Sequence, residues 1–97
     1  MLTIAELKER LVGEGFMFTG LNDFMMETMD ADSAFNGDAA ETAMEDGNFA
    51  FAVAEDDYER ETGEKWEGWI LVEYTVDPEC VEENGDFGLD ITDVRWC

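Results

Sequence analysis

Carboxylates are the reactive groups this chain carries in quantity. "MDADSAFNGDAAETAMEDGN", residues 29–48, holds Asp30, Asp32, Asp38, Glu41, Glu45 and Asp46, with Glu27 just upstream and no lysine or arginine. "EDDYERETGEKWE", residues 55–67, holds Glu55, Asp56, Asp57, Glu59, Glu61, Glu64 and Glu67. Dense carboxylates can ligate a hard cation, form an acid–base pair, or take up the guanidinium and ammonium groups of a partner.

Calcium is tested by spacing. A twelve-residue calcium loop needs oxygen ligands at positions 1, 3, 5, 9 and 12 and glycine at 6. A frame starting at Asp30 supplies Asp32, Asp38 and Glu41 but puts Ala34 at position 5 and Phe35 where the sharp turn needs glycine. A frame starting at Asp32 restores Asn36 and Gly37 but puts Ala34 at position 3 and Ala43 at 12. No metal site is expected, and calcium binding stays as the lesser alternative.

Catalysis finds less. The chain has no histidine, the commonest general base and nitrogen ligand. Cys80 and Cys97 have no CxxC spacing, and Lys8 and Lys65 sit in no phosphate-binding loop. Any two of 26 acids make a pair, so a glycosidase-like dyad has no specificity here. No catalytic residue, enzyme activity or cofactor is expected.

What remains is charge. Five bases (Lys8, Arg10, Arg60, Lys65 and Arg95) face 26 acids, for a formal net charge of −21. Direct nucleic-acid binding needs the opposite balance, and so does docking on an anionic membrane. Solubility alone is served by a net charge of roughly 2–8 on a small domain. A chain of this size exposes about 5,600 Å², or about one net charge per 270 Å². Duplex DNA, as a cylinder of ~10 Å radius, carries roughly one per 110 Å². Acids concentrated on under half of the surface would therefore approach the density of DNA.

These groups need a scaffold. With 45% hydrophobic residues, seven Phe and three Trp, the chain is expected to fold despite its charge, as one domain over residues 1–97. Thr3 and Glu6 form a capping box ahead of Ile4, Leu7, Leu11 and Val12 at helical spacing, so a helix is expected over about 3–12. "FMFTG" is ambiguous between strand and loop. "LNDFMMETM" puts Leu21, Phe24, Met25 and Met29 on one helical face, with Asn22 or Asp23 near its start. "GDAAETAMED" predicts a third helix, with Asp38 able to cap it and Gly47 ending it.

Beyond Gly47 the period becomes two. "NFAFAVAE" alternates large and small residues, and "WEGWILVEYTVD" puts Trp66, Ile70, Val72, Tyr74 and Val76 on one face, with Pro78 closing the strand. "FGLDITDVRW" supplies a third strand after the turn signal "ENGD"; its parity slips, which a bulge near Asp93 explains. The predicted fold is α+β: N-terminal helices packed on a C-terminal three-stranded antiparallel β-meander. The second acidic cluster joins two predicted strands and is expected to project as a hairpin end. Asp57, Glu59 and Glu61, if extended, would recur every 6.6–6.8 Å or so, near the spacing of phosphates.

Trp69 shares a strand face with Glu67, Leu71 and Glu73, an apolar spot ringed by acid that suits a protein partner, and it is the best single anchor. In size and acidity over the whole chain, the sequence resembles the small DNA-mimic inhibitors of phages and mobile elements, the anti-CRISPR and anti-restriction proteins. Such inhibitors share no sequence motif, so the resemblance is one of class and assigns no residue a role. It implies an inhibitor that docks on the basic nucleic-acid channel of a host protein or ribonucleoprotein complex, as a monomer or homodimer. The expected contacts are Glu55, Asp56, Asp57, Glu59, Glu61, Glu64 and Glu67 with Trp69, then Asp30, Asp32, Asp38, Glu41 and Glu45. The N-terminus, "MLTIAELKER", has no apolar core of a signal peptide, and a cytoplasmic location is expected, that of a host bacterium for a phage-encoded protein. The competing reading is a small acidic accessory domain whose surface is adapted to solvation or to salt.

Overall fold

Thr3 opens the first helix. A computed structural model describes residues 1–33 and 37–97. In it, the Thr3 hydroxyl accepts the N–H of Glu6 and the Glu6 carboxylate accepts the N–H of Thr3, both at 3.1 Å. This capping box starts α1 (Ile4–Leu11), which buries Leu7 and Leu11. Gly13, at φ 87°, turns the chain and donates to the Ile91 carbonyl at 2.8 Å. That contact leads into β1 (Gly15–Met17). The ambiguous "FMFTG" is thus divided, a strand through Met17 and a helix from Phe18.

That helix, α2 (Phe18–Met29), starts earlier than Asn22 or Asp23, and Asn22 is buried inside it. Its N-cap residue, Met17, supplies no side-chain bond. The orphan N–H of Thr19 is instead taken by the Asp86 carboxylate at 3.0 Å, a cap brought from the far end of the chain. Leu21, Met25 and Met29 face the core as the spacing predicts, and Asp30 ends the helix in the left-handed conformation at φ 52°.

The sheet holds β1, β2 (Asn48–Phe51), β3 (Ile70–Val81) and β4 (Phe87–Trp96), in the order β1-β4-β3-β2 and antiparallel throughout. The meander β2-β3-β4 is as expected. The three-stranded count is corrected to four, because β1 adds to the outer edge of β4. Two boundaries also move. β3 begins at Ile70, leaving Trp66 outside the strand, and it continues through Pro78 to Val81 because the ladder slips between Asp77 and Val81. The slip in β4 is real: Glu73 opposes Asp93 and Tyr74 opposes Ile91, so Thr92 is the extra residue.

One face of the sheet carries Phe51, Ile70, Val72, Tyr74, Leu89, Ile91 and Val94 into a core shared with Leu7, Leu11, Phe18, Leu21 and Met25. The opposite parity presents Leu71, Glu73, Thr75, Asp93 and Arg95. Against the core face, α3 (Gly37–Asp46) buries Ala40 and Ala43, and the Tyr74 hydroxyl donates to the Ala43 carbonyl at 2.6 Å. Asp38 lies within its first turn, and Gly47 follows at φ 70°.

The second acidic cluster is not an extended hairpin end. It forms α4 (Glu55–Thr62), with Glu55, Asp56 and Asp57 in the first turn and Arg60 in the last, the arrangement that complements a helix dipole. Tyr58 is its buried residue. The Tyr58 ring meets Trp96 edge-on at 4.9 Å, and its hydroxyl donates to Glu64 at 2.8 Å. Asp57, Glu59 and Glu61 therefore follow a helix, not a phosphate-like row.

Candidate partner-binding surface

Nearly all of the acid faces water. Asp57, Glu73, Asp77 and Asp93 are half-buried and Asp86 is buried; every other Asp and Glu is exposed. The surface is 5373 Å², so the net charge of −21 amounts to about one per 256 Å², close to the expectation from chain size. The distribution matters more than the average.

The two acidic stretches line one cleft. Asp57 and Glu61, one helical turn apart on α4, stand with Glu27 and Asp30 of the α2 C-terminus around a cleft of about 410 Å³. Thr28, Arg60 and Met1 complete its lining. The Arg60 guanidinium contacts Asp57 and the Met1 amino group contacts Glu61, so cationic groups of the chain already sit on two of these carboxylates. Glu27, Arg60 and Met1 were not among the expected site residues. The i, i+3 spacing of Glu27 and Asp30 was the available signal, whereas nothing in the sequence places the amino terminus here.

The remaining expected residues spread further. Glu55, Asp56 and Glu59 are exposed on α4, and the Glu59 carboxylate accepts the N–H of Trp66 at 3.3 Å. Glu59 and Glu64 share a second hollow, of about 430 Å³, with Lys65; Glu67 lies on the same connection to β3. Asp32 follows α2, its N–H bonded to the Ala52 carbonyl at 3.0 Å. Asp38, Glu41 and Glu45 form a stripe on α3, and among the described residues they line none of these clefts. A further acidic group went unanticipated: Glu82 and Glu83 line a hollow of about 610 Å³ with Met17, Asn84 and Asp86 at the end of the β3–β4 hairpin.

Trp69 is 52% exposed, the most open of the large hydrophobic residues described. Its support is rigid. The Cys97 N–H donates to the Trp69 carbonyl at 2.8 Å, and Gly68 sits at φ 148°, where an added Cβ would meet the Cys97 carbonyl oxygen at 2.3 Å. Trp66, by contrast, is half-buried against Trp96, and its indole N–H finds no acceptor among the described residues.

Charge is also balanced away from this cleft. On the sheet face opposite the core, Arg95 bridges Glu73 and Asp93, the latter at 3.2 Å, while Lys8 reaches Asp93 at 3.9 Å. The hydrogen bond from Arg95 holds the Glu73 carboxyl below its ordinary range. The Val94 N–H, then Arg95, does the same for Asp93. Two cations against two carboxylates cancel within this cluster. Near the hairpin the Cys80 thiol donates to Asp77 at 3.3 Å, and this bond to a carboxylate pushes the thiol upward, away from nucleophilic use.

Among the described residues, no three acidic or thiol side chains gather closely enough to hold a metal ion. Ala34, Phe35 and Asn36, on which both calcium frames turn, lie outside the described residues. No described helix is long and apolar enough to cross a membrane. No family model matches the chain, and neither the curated proteins nor the solved structures compared with it contain a match.

Proposed function

We propose that this protein is a DNA-mimic inhibitor that binds without catalysis. Its acidic helical side occupies the basic nucleic-acid channel of a bacterial defence complex, of CRISPR or restriction type, in the cytoplasm. The observation that carries this reading is the cleft lined by Glu27 and Asp30 together with Asp57 and Glu61, carboxylates from two stretches of sequence, with the Arg60 guanidinium on Asp57 and the Met1 ammonium on Glu61. Lysine and arginine side chains lining a channel are the same chemistry. Dimensions lend support. The Cα trace measures 40 × 24 × 20 Å. Its length equals about 12 base-pair steps of ~3.4 Å, and its cross-section is near that of a duplex.

The test is capture from nuclease-treated bacterial lysate on immobilised protein. A nucleic-acid-binding complex should be retained at physiological salt, shed at high salt and displaced by added duplex DNA, as charge-steered contacts require. Asp30→Lys with Asp56→Lys should abolish capture while the circular dichroism spectrum is kept. Capture of nothing at either salt, or of a complex that duplex DNA does not displace, would leave the acid to solvation alone.

A further inference from the structure

β2 is an edge strand of the sheet, with β3 on one side. Tyr74 donates to the Gly47 carbonyl at 3.0 Å, and the register then runs Asn48 opposite Glu73, Phe49 opposite Val72, Ala50 opposite Leu71 and Phe51 opposite Ile70. In an antiparallel pair the backbone groups alternate between the partner strand and the outside. With Gly47 turned toward β3, Phe49 and Phe51 are too, and Asn48 and Ala50 turn outward. Ala52, the next outward residue, confirms the phase, since its carbonyl accepts the Asp32 N–H at 3.0 Å. Among the described residues, the outward backbone groups of Asn48 and Ala50 have no partner.

An open edge takes an added strand, and two features here say which kind. The first is charge. Glu45 and Asp46 precede β2 and Glu67 lies two residues before Trp69, all three exposed and in no ion pair among the described residues, so a second copy of this edge would bring acid against acid. The second is shape. On the face opposite the core, Ala50 lies beside Leu71, and Ala52 falls beside Trp69 if the register continues. Those small side chains leave half-buried Leu71 and exposed Trp69 open from the β2 side.

We propose that β2 receives an extended, lysine- or arginine-rich segment of a partner protein as a fifth strand, with main-chain bonds at Asn48 and Ala50 and an apolar side chain against Leu71 and Trp69. This goes beyond mimicry of DNA on the helical side and does not depend on it.

The probe is a short capped peptide of alternating lysine and valine, added to the isotope-labelled protein. On binding, the amide protons of Asn48 and Ala50 become protected from exchange and Trp69 fluorescence shifts to the blue. Ala50→Pro deletes only an outward N–H, which an edge strand tolerates, and should weaken binding about tenfold. Ala50→Val should not. N-methylation of the peptide on its pairing edge should abolish binding to the unaltered protein, which keeps the test decisive if the proline variant misfolds. Peptide-induced shifts confined to α2 and α4, with Ala50 unprotected, would overturn the proposal while leaving the helical acidic side intact. So would equal binding by the N-methylated peptide, or a peptide-independent dimer that protects Ala50, which would assign the edge to a second copy.

Discussion

Asp86 accepts both the backbone N–H and the hydroxyl of Thr19, at 3.0 and 2.6 Å, across 67 positions of sequence. The same carboxylate accepts the N–H of Phe87 at 3.0 Å, so the β3–β4 hairpin and the start of α2 are held by one buried side chain. An acid-rich chain has here spent one acid on architecture.

Asp86→Ala should destabilise the fold by about 2 kcal/mol, a lost cap plus a stranded hydroxyl. Asp86→Asn keeps an acceptor for the Thr19 N–H and should lose about half as much. Urea unfolding checks both. An effect no larger than that of a surface carboxylate such as Asp23→Ala would refute the pinning role.

Stability should fall as the medium is acidified through and below the ordinary carboxylate range. Glu6, held low by its bonds with Thr3, together with Glu73 and Asp93, contributes stability present above the ordinary carboxylate range and lost as pH drops through the lowered values. Thermal melts from pH 3 to 8 should therefore show a lower melting temperature at pH 3 than at pH 7. A melting temperature equal or higher at pH 3 would show that these three carboxylates add nothing to the folded state.

How far was this legible beforehand? α1 was, since Thr3, Glu6, Leu7 and Leu11 carry their whole signal within three turns. The β4 bulge was legible because parity is a local property. The start of α2 was not, since its cap comes from Asp86. β1 was not either, because three residues become a strand only through the register of β4. The helix α4 was misread because seven acids in thirteen residues resemble a solvated loop. Its helical logic lies in the placement of Glu55 to Asp57 at the positive end and in Tyr58 reaching the core. For the site, the acids were plain in composition, but that Asp30 lines one cleft with Asp57 and Glu61 needed the fold.

The two tyrosines make an alkaline reporter. Burial pushes the phenols of both Tyr58 and Tyr74 above their ordinary value, and both hydroxyls donate bonds that an anion cannot make. Their contribution is complete below about pH 10 and is lost as pH climbs through the raised values. With only two tyrosines in the chain, tyrosinate absorbance should appear only together with loss of helical signal. Tyr58→Phe, which removes the bond to Glu64, should destabilise by about 1 kcal/mol. Tyrosinate forming in the intact fold would disprove the burial argument.

Gly68→Ala should destabilise by more than about 1 kcal/mol, since φ 148° and the nearby Cys97 carbonyl oxygen both exclude a side chain. Deleting Cys97 removes one of those two obstacles, so the double change should cost less than the sum of the single ones. Strict additivity, measured by chemical denaturation, would show that the Cys97 contact is unimportant.

The pairing of Gly15 with Asp90 and of Met17 with Gly88 also sets a clock. A ribosome adding roughly 5–20 residues per second needs roughly 4–16 s to travel from β1 to the end of β4. Through that interval β1 has no strand beside it, and α1 has not gained the sheet under which Leu7 and Leu11 are finally buried. Nascent chains on neighbouring ribosomes would present the same unfinished edge to one another. Carboxylates on nearly every exposed segment make such encounters repulsive, so the acidity guards the molecule while it is being made as well as shaping what it meets afterwards.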